Sequence, residues 1–165
     1  MAKVTLHGNV ASGTVGDLPR VGTSAPDFTL TAGDLSEKTL ADFKGRKKLL
    51  NIVPSLDTSV CAASARRFNE AAGSKENVSV LVISADLPFA QERFCSVEGL
   101  KNVTGLSTFR SSFPDDYSLR IAEGPLKGLC SRAVVILDEE NRIIYTEQVP
   151  EIAQEPDYEA ALGVL

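Results

Sequence analysis

Three short runs constrain this chain more than anything else in it. Lys48-Leu49-Leu50-Asn51-Ile52-Val53, Val78-Ser79-Val80-Leu81-Val82-Ile83 and Ala133-Val134-Val135-Ile136-Leu137 are almost wholly apolar. A strand with one wet face alternates apolar and polar residues, whereas an unbroken apolar strand is buried on both faces. Between the first two runs a helix is expected over Ser59 to Ala72, with Asp57 and Thr58 as candidate N-caps. Val60, Ser64, Phe68 and Ala71 would share one face of it, and Gly73 is placed to end it. Asp86-Leu87-Pro88 opens a second helix that runs past Phe94 toward Gly99. Val103 to Ser107 reads as a strand, Asp138 to Asn141 as a turn, and Ile143 to Gln148 as the hairpin partner of the third run. Asp157 to Leu165 reads as a closing helix. Upstream, Gly13 to Pro26 reads as turns around a short N-terminal β-hairpin, Phe28 to Leu30 as a short strand, and Leu40 to Phe43 as one helical turn. The order implies an α/β fold with a central mixed sheet flanked by helices. At 165 residues the expectation is one domain spanning 1–165.

Charge narrows the partners. With 17 basic and 22 acidic residues the net charge is -5, which argues against nucleic acid and anionic membranes. No stretch approaches the ~18 apolar residues of a membrane span, and the N-terminus lacks the pattern of a secretory signal. The expected location is the cytoplasm. In a reducing compartment the three cysteines, Cys61, Cys95 and Cys130, are catalytic, metal-binding or inert rather than permanent crosslinks. There is no C-x-x-C pair. His7 is the one histidine, so the usual zinc-ligand spacings are missing and no metal is expected.

Ligands in open α/β sheets favour the carboxyl ends of strands. The loop Pro54 to Val60 lies at such an end and leads into a helix whose first turn holds Cys61. Unpartnered N–H groups and the positive end of the helix dipole favour a thiolate there, and the thiolate is the nucleophilic form. The bland alternative is a small packed thiol. A cysteine–histidine pair would have to draw on His7, which lies on the N-terminal hairpin.

Pro54, Thr58 and Cys61 fit the pattern P-x-x-x-T-x-x-C, and here the chain resembles the peroxiredoxins. It is most similar to their atypical two-cysteine subgroup, the thiol peroxidases. The likeness lies in Leu50 to Ser64, in Ser84-Ala85-Asp86-Leu87-Pro88-Phe89-Ala90-Gln91-Glu92-Arg93-Phe94-Cys95 and in Leu106-Ser107-Thr108-Phe109-Arg110. It continues in Gly124-Pro125-Leu126-Lys127-Gly128-Leu129 and in Glu155-Pro156-Asp157-Tyr158-Glu159-Ala160-Ala161-Leu162. Two features depart from the subgroup. Val53 stands where an aromatic is common. The segment Phe113 to Ser118 is one residue short, with Ser118 where glycine is usual after the tyrosine.

The resemblance implies a thioredoxin-like fold and reduction of hydrogen peroxide and organic hydroperoxides. It makes Cys61 the peroxidatic nucleophile and Cys95 the resolving thiol. It gives the Thr58 hydroxyl and the Cys61 N–H contacts to peroxide, has Thr58 donate to the thiolate, and has Pro54 shield the sulfur. It makes Arg132, in Ser131-Arg132-Ala133-Val134-Val135, the cation that touches both thiolate and peroxide. It further implies thioredoxin as reductant, a homodimer, and neither metal nor organic cofactor. Each residue also has a plain alternative: N-cap for Thr58, strand terminator for Pro54, surface charge for Arg132, core packing for Cys95. Cys130 lies outside the pair and reads as an inert thiol near the site. Two rival activities are open to such a chain. One is thiol–disulfide exchange, which the missing C-x-x-C argues against. The other is a redox sensor or binding module that uses the same cysteines without turnover.

Overall fold

In the computed structural model the described residues are 2–7, 10–72 and 75–165. The elements run in chain order as β1 (Lys3–Leu6), β2 (Val10–Gly13), β3 (Leu30–Ala32), β4 (Glu37–Lys38), a 3-10 turn (Leu40–Phe43), β5 (Lys47–Ile52), α1 (Ser59–Ala72) and β6 (Val78–Ser84). They continue as α2 (Pro88–Glu98), β7 (Val103–Ser107), α3 (Phe113–Asp116), β8 (Ala133–Leu137), β9 (Ile143–Gln148) and α4 (Tyr158–Leu162). β1 and β2 form the expected N-terminal hairpin. The other strands make one mixed sheet in the order β4-β3-β7-β6-β5-β8-β9. β5, β6 and β7 are parallel, and the remaining pairings are antiparallel.

The apolar runs behave as doubly buried strands. Along β5 and β6, Leu50, Ile52, Leu81 and Ile83 face one core with Phe28, Leu40, Phe113 and Tyr117. Leu49, Val80 and Val82 face the other side, toward Phe68 and Ala65 of α1 and Ala161 of α4. Each strand therefore feeds two cores through the period-two alternation of its side chains.

Local differences from the expected elements have physical causes. The short third strand is Leu30–Ala32 rather than Phe28 to Leu30, because Thr31 and Ala32 pair with β7 while the Phe28 ring packs edge-on against Phe113, centroids 5.8 Å apart. On α1 the fully buried stripe is Cys61, Ser64, Ala65 and Phe68. Val60 and Ala71 are only half-buried, so the helix is rotated by part of a turn from the expected face. Gly73, expected to end this helix, lies outside the described residues. Gly99 does end α2 in the left-handed conformation (φ 67°), with its N–H donating back to Ser96 and Cys95 carbonyls. The closing helix is shorter than Asp157 to Leu165, and Asp157 caps it by accepting from the Ala160 N–H. β4 and α3 carry no signal strong enough to have been expected: one is two residues long and the other a single turn.

The position noted as a usual glycine has a structural explanation. Ser118 follows α3 with φ 57°, in the left-handed region. There Cβ crowds the carbonyl, at a cost that glycine avoids. The neighbouring Tyr117 ring stacks on Phe113 and its hydroxyl donates to the Pro26 carbonyl at 2.7 Å, so the turn is anchored and cannot relax. Ser118→Gly should therefore stabilise the protein by about 0.5–1 kcal/mol, the left-handed penalty less the extra chain entropy of glycine. Urea denaturation would show this as a higher midpoint at unchanged slope; a lower midpoint would refute it.

Candidate active site

The site begins with a register. In the antiparallel pairing of β5 and β8, Ile52 lies opposite Ala133. One step further, Arg132 enters β8 beside Val53 as the chain leaves β5. Arg132 shares parity with Val134 and Ile136, which face the α1 side, and so projects under that helix. The surface-charge alternative is thereby excluded: Arg132 is 1% exposed. Its Nη2 donates to Cys61 Sγ at 3.0 Å and its Nε to the Ile152 carbonyl at 2.9 Å. Its Nη1 is also buried and has no partner. Among the described residues no carboxylate pairs with it. A buried cation without a counter-ion is costly, and the side-chain atom it meets at hydrogen-bond distance is the Cys61 sulfur.

Cys61 is fully buried at the third position of α1. Thr58, not Asp57, is the N-cap: its carbonyl accepts the first helical bond from the Ala62 N–H, and its Oγ1 accepts from the Cys61 N–H at 3.3 Å. The Thr58 hydroxyl proton is directed to the Ser55 carbonyl at 3.2 Å. Both groups expected to serve sulfur and peroxide are thus engaged with each other or with the loop. A hydroxyl has one proton and two lone pairs, so Thr58 Oγ1 keeps one acceptor site open on the exposed side. The helix start is pinned to the sheet from beneath. Asn51 of β5 donates to Ser64 Oγ at 3.2 Å, and Ser64 Oγ donates to the Cys61 carbonyl at 3.0 Å. Pro54, two residues after the end of β5, is buried.

Asp86 is the functional residue that sequence reasoning treated only as a helix start. Its carboxylate accepts from Ser55 Oγ (2.9 Å), the Leu56 N–H (2.8 Å) and Ser84 Oγ (2.7 Å). It therefore ties the loop that carries Cys61 to the loop after the adjacent parallel strand. Its place at the carboxyl end of β6, next to that of β5, was the available signal. Ser84 Oγ also accepts from Gln91 Nε2 of α2 at 2.9 Å, so the polar chain continues to the helix that holds Cys95.

All three cysteines are free thiols. Cys95 is half-buried and packs with Phe94 against the cluster of Val53, Leu56, Cys61, Ala65 and Val82. The structure thus brings both members of the expected pair to one apolar cluster, each within a helix. Cys95 also borders a cavity of about 300 Å³ between α2, β7 and β3, lined by Gln91, Glu92, Gly33 and Lys38. Burial raises its pKa, and the Glu92 carboxylate adds to that. Cys130 lies in the core on the opposite face of the sheet. Burial pushes its thiol up to about 12, with Asp86 adding to this and a Thr108 hydrogen bond opposing it, so it is a poor nucleophile.

Known proteins agree with this geometry. Residues 20–162 match the sequence profile of the Redoxin family. A thiol peroxidase of Mycobacterium tuberculosis is 54% identical over 165 residues, covering all of this chain and 99% of that protein. A thiol peroxidase of Corynebacterium glutamicum is 52% identical over the same length. The crystal structure of a peroxiredoxin-like protein from Aquifex aeolicus superimposes with a TM-score of 0.93 at 41% identity, covering 99% of this chain and 95% of that one. Seven strands in a mixed sheet, a cysteine in the first turn after β5, and full-length identity above one half converge on one conclusion: the chain has the thioredoxin-like redoxin fold and belongs to the thiol peroxidase family.

Proposed function

We propose that the protein reduces hydrogen peroxide and organic hydroperoxides, with Cys61 as peroxidatic and Cys95 as resolving cysteine. The observation that carries this reading is the buried Arg132 Nη2 donating to Cys61 Sγ at 3.0 Å, in the first turn of a helix. The thiolate attacks one peroxide oxygen in line, the O–O bond breaks, and the other oxygen leaves as alkoxide or hydroxide and takes up a proton. The products are a Cys61 sulfenic acid and an alcohol or water. Such a step needs a charged sulfur and a donor for the departing oxygen. Arg132 supplies both directions at once: Nη2 serves the sulfur, and the unpartnered Nη1 is available to oxygen. Thr58 Oγ1 offers a lone pair to the peroxide O–H, and Pro54 closes the base of the site.

The Cys95 thiol then attacks the sulfenic sulfur, expelling water and forming the Cys61–Cys95 disulfide. Bonding brings the two Cα atoms to roughly 4.4–6.8 Å. With each cysteine inside a helix, the first turn of α1 and the Cys95 stretch of α2 unwind locally to make it. The raised thiol of Cys95 suits this order of events, because it stays protonated and unreactive toward peroxide itself. A dithiol of the thioredoxin class reduces the disulfide, which places the cycle in a reducing compartment such as the cytoplasm. The working form is a homodimer.

Stopped-flow peroxide consumption coupled to thioredoxin tests the reading on the full chain. Cys61→Ser should abolish turnover. Cys95→Ser should consume about one equivalent of peroxide, leave a trappable sulfenic acid and then stop. Activity in Cys61→Ser would overturn the assignment, and sustained turnover in Cys95→Ser would remove Cys95 from its role. Cys130→Ala should keep full turnover, since its thiol is buried and on the far face of the sheet. A loss in that variant, at unchanged thermal stability, would show that Cys130 takes part.

Arg132→Met should slow the oxidation of Cys61 by about 10²- to 10³-fold, the usual effect of removing one charge-stabilising donor. Rapid-quench measurement of the first turnover checks this. A rate within twofold of wild type, roughly 0.4 kcal/mol, would deny Arg132 a catalytic role.

A further inference from the structure

The hairpin β1–β2 shares no strand pairing with the seven-stranded sheet. Its contacts run instead to the segment that follows β9 and to the stretch at Ile121 and Ala122, whose Ala122 N–H donates to the Gly13 carbonyl. The Thr5 N–H donates to the Pro150 carbonyl and the Ile152 N–H to the Thr5 carbonyl, both at 2.7 Å. The Glu151 carboxylate accepts from the Thr5 hydroxyl, from the His7 N–H at 2.7 Å and from the Ala153 N–H at 3.2 Å. The Ile152 side chain is buried beside Val4 and Ile121. One group of this clamped segment points into the site: the Ile152 carbonyl, which accepts from Arg132 Nε at 2.9 Å.

That carbonyl matters because a guanidinium is a rigid planar fork. Holding Nε in one place and direction fixes where Nη2 and Nη1 lie. Arg132 takes no carboxylate partner among the described residues, so the Ile152 carbonyl and Cys61 Sγ set its pose. The carbonyl belongs to a short connection between β9 and α4. Its position is only as firm as the bonds that tie that connection to β1. A displacement of about 1 Å at a reacting group can cost on the order of 10²-fold in rate.

We propose that Glu151 is a positioning residue: it pins the connection after β9 to the N-terminal hairpin and so aims Arg132 at the Cys61 sulfur. The hairpin is then part of the peroxidatic machinery, although among the described residues none of it hydrogen-bonds the sulfur. This rests on the roles of Cys61 and Arg132 proposed above. It adds that the first chemical step, and not the resolving step, depends on a carboxylate outside the peroxide site.

The test is the rapid-quench rate of Cys61 oxidation by hydrogen peroxide in the full chain. It compares wild type, Glu151→Ala, Glu151→Gln, Arg132→Met and the double variant Arg132→Met/Glu151→Ala. Glu151→Ala should slow oxidation about tenfold, with the backbone bonds of Thr5 holding part of the pose. Glu151→Gln keeps an acceptor oxygen for the His7 N–H and should stay within about threefold of wild type. In the Arg132→Met background the alanine substitution should cost nothing further, because there is no guanidinium left to aim. The rate of the following disulfide step should not change. Thr5→Val, which removes the hydroxyl's contacts to Glu151 and to the Pro150 carbonyl but keeps both backbone bonds, should slow oxidation in the same direction and serves if Glu151→Ala melts early. A wild-type rate in Glu151→Ala, or the same fractional loss with and without Arg132, would overturn the inference. If Arg132→Met itself oxidises at the wild-type rate, the catalytic reading of Arg132 fails instead.

Discussion

The antiparallel pairing of β5 with β8 is the constraint on which the site depends. β5 delivers the chain to Pro54 and the helix of Cys61 at its carboxyl end, while β8 begins at that same end. A parallel neighbour would put its own carboxyl end there and its first residue at the opposite edge of the sheet. Because the pairing is antiparallel, the residue just before β8 lies next to the residue just after β5. Side-chain parity then decides the face, and Arg132 falls on the side of α1 with Val134 and Ile136. The Cys61 sulfur and the guanidinium that touches it come from positions 71 residues apart, joined by one strand register.

The buried guanidinium has few partners. An isolated arginine in the core would be strongly destabilising. Here its Nε is satisfied by a carbonyl, one Nη faces sulfur and the other faces nothing. The dipole of α1 acts in the same direction as the guanidinium. The fold therefore keeps a buried guanidinium against the Cys61 sulfur at the expense of local stability. Cys130 shows the opposite environment. It has burial without a cation, and its thiol is driven up accordingly.

Most of the fold was legible because it rests on periodicity. β6, α1, β7, β8 and β9 lie where apolar runs and turn residues put them, within about a residue at each end. What could not be read depends on pairings between distant segments. The bond from Asn51 to Ser64, which seats α1 on the sheet, joins two elements and is encoded by no local pattern. β3 is set by its neighbour β7, not by its own residues. Within the site, Cys61 was legible from its helix start. Arg132 was accessible only through family likeness, although the parity of β8 pointed the same way. Asp86 was missed because its role lies in bonding a neighbouring loop, and only the order of parallel strands makes the two loops neighbours.

Asp86 also bears on how the two cysteines can meet. From Ser55 and Leu56 a continuous polar chain runs through Asp86 and Ser84 to Gln91, one helical turn before Cys95. Gln91 is 1% exposed and its amide also donates to the Leu106 carbonyl of β7, so α2 is held to the sheet at that point. Beyond Gln91 the hold weakens. Arg93, Ser96, Val97 and Glu98 are exposed, Phe94 and Cys95 are half-buried, and Gly99 ends the helix. Exposed backbone bonds with few buried contacts open at low cost. In the disulfide step proposed above, the turn around Cys95 is therefore the one that opens at low cost, while Gln91 keeps its bonds; the first turn of α1 is held by the buried Cys61 and by Ser64. The anchored residues, Gln91 and Ser64, each lie within one turn of a cysteine, on the sheet side. Under the proposed disulfide step, this polar chain would confine the rearrangement to the turns that bear sulfur, and the sheet that sets Arg132 in place need not move.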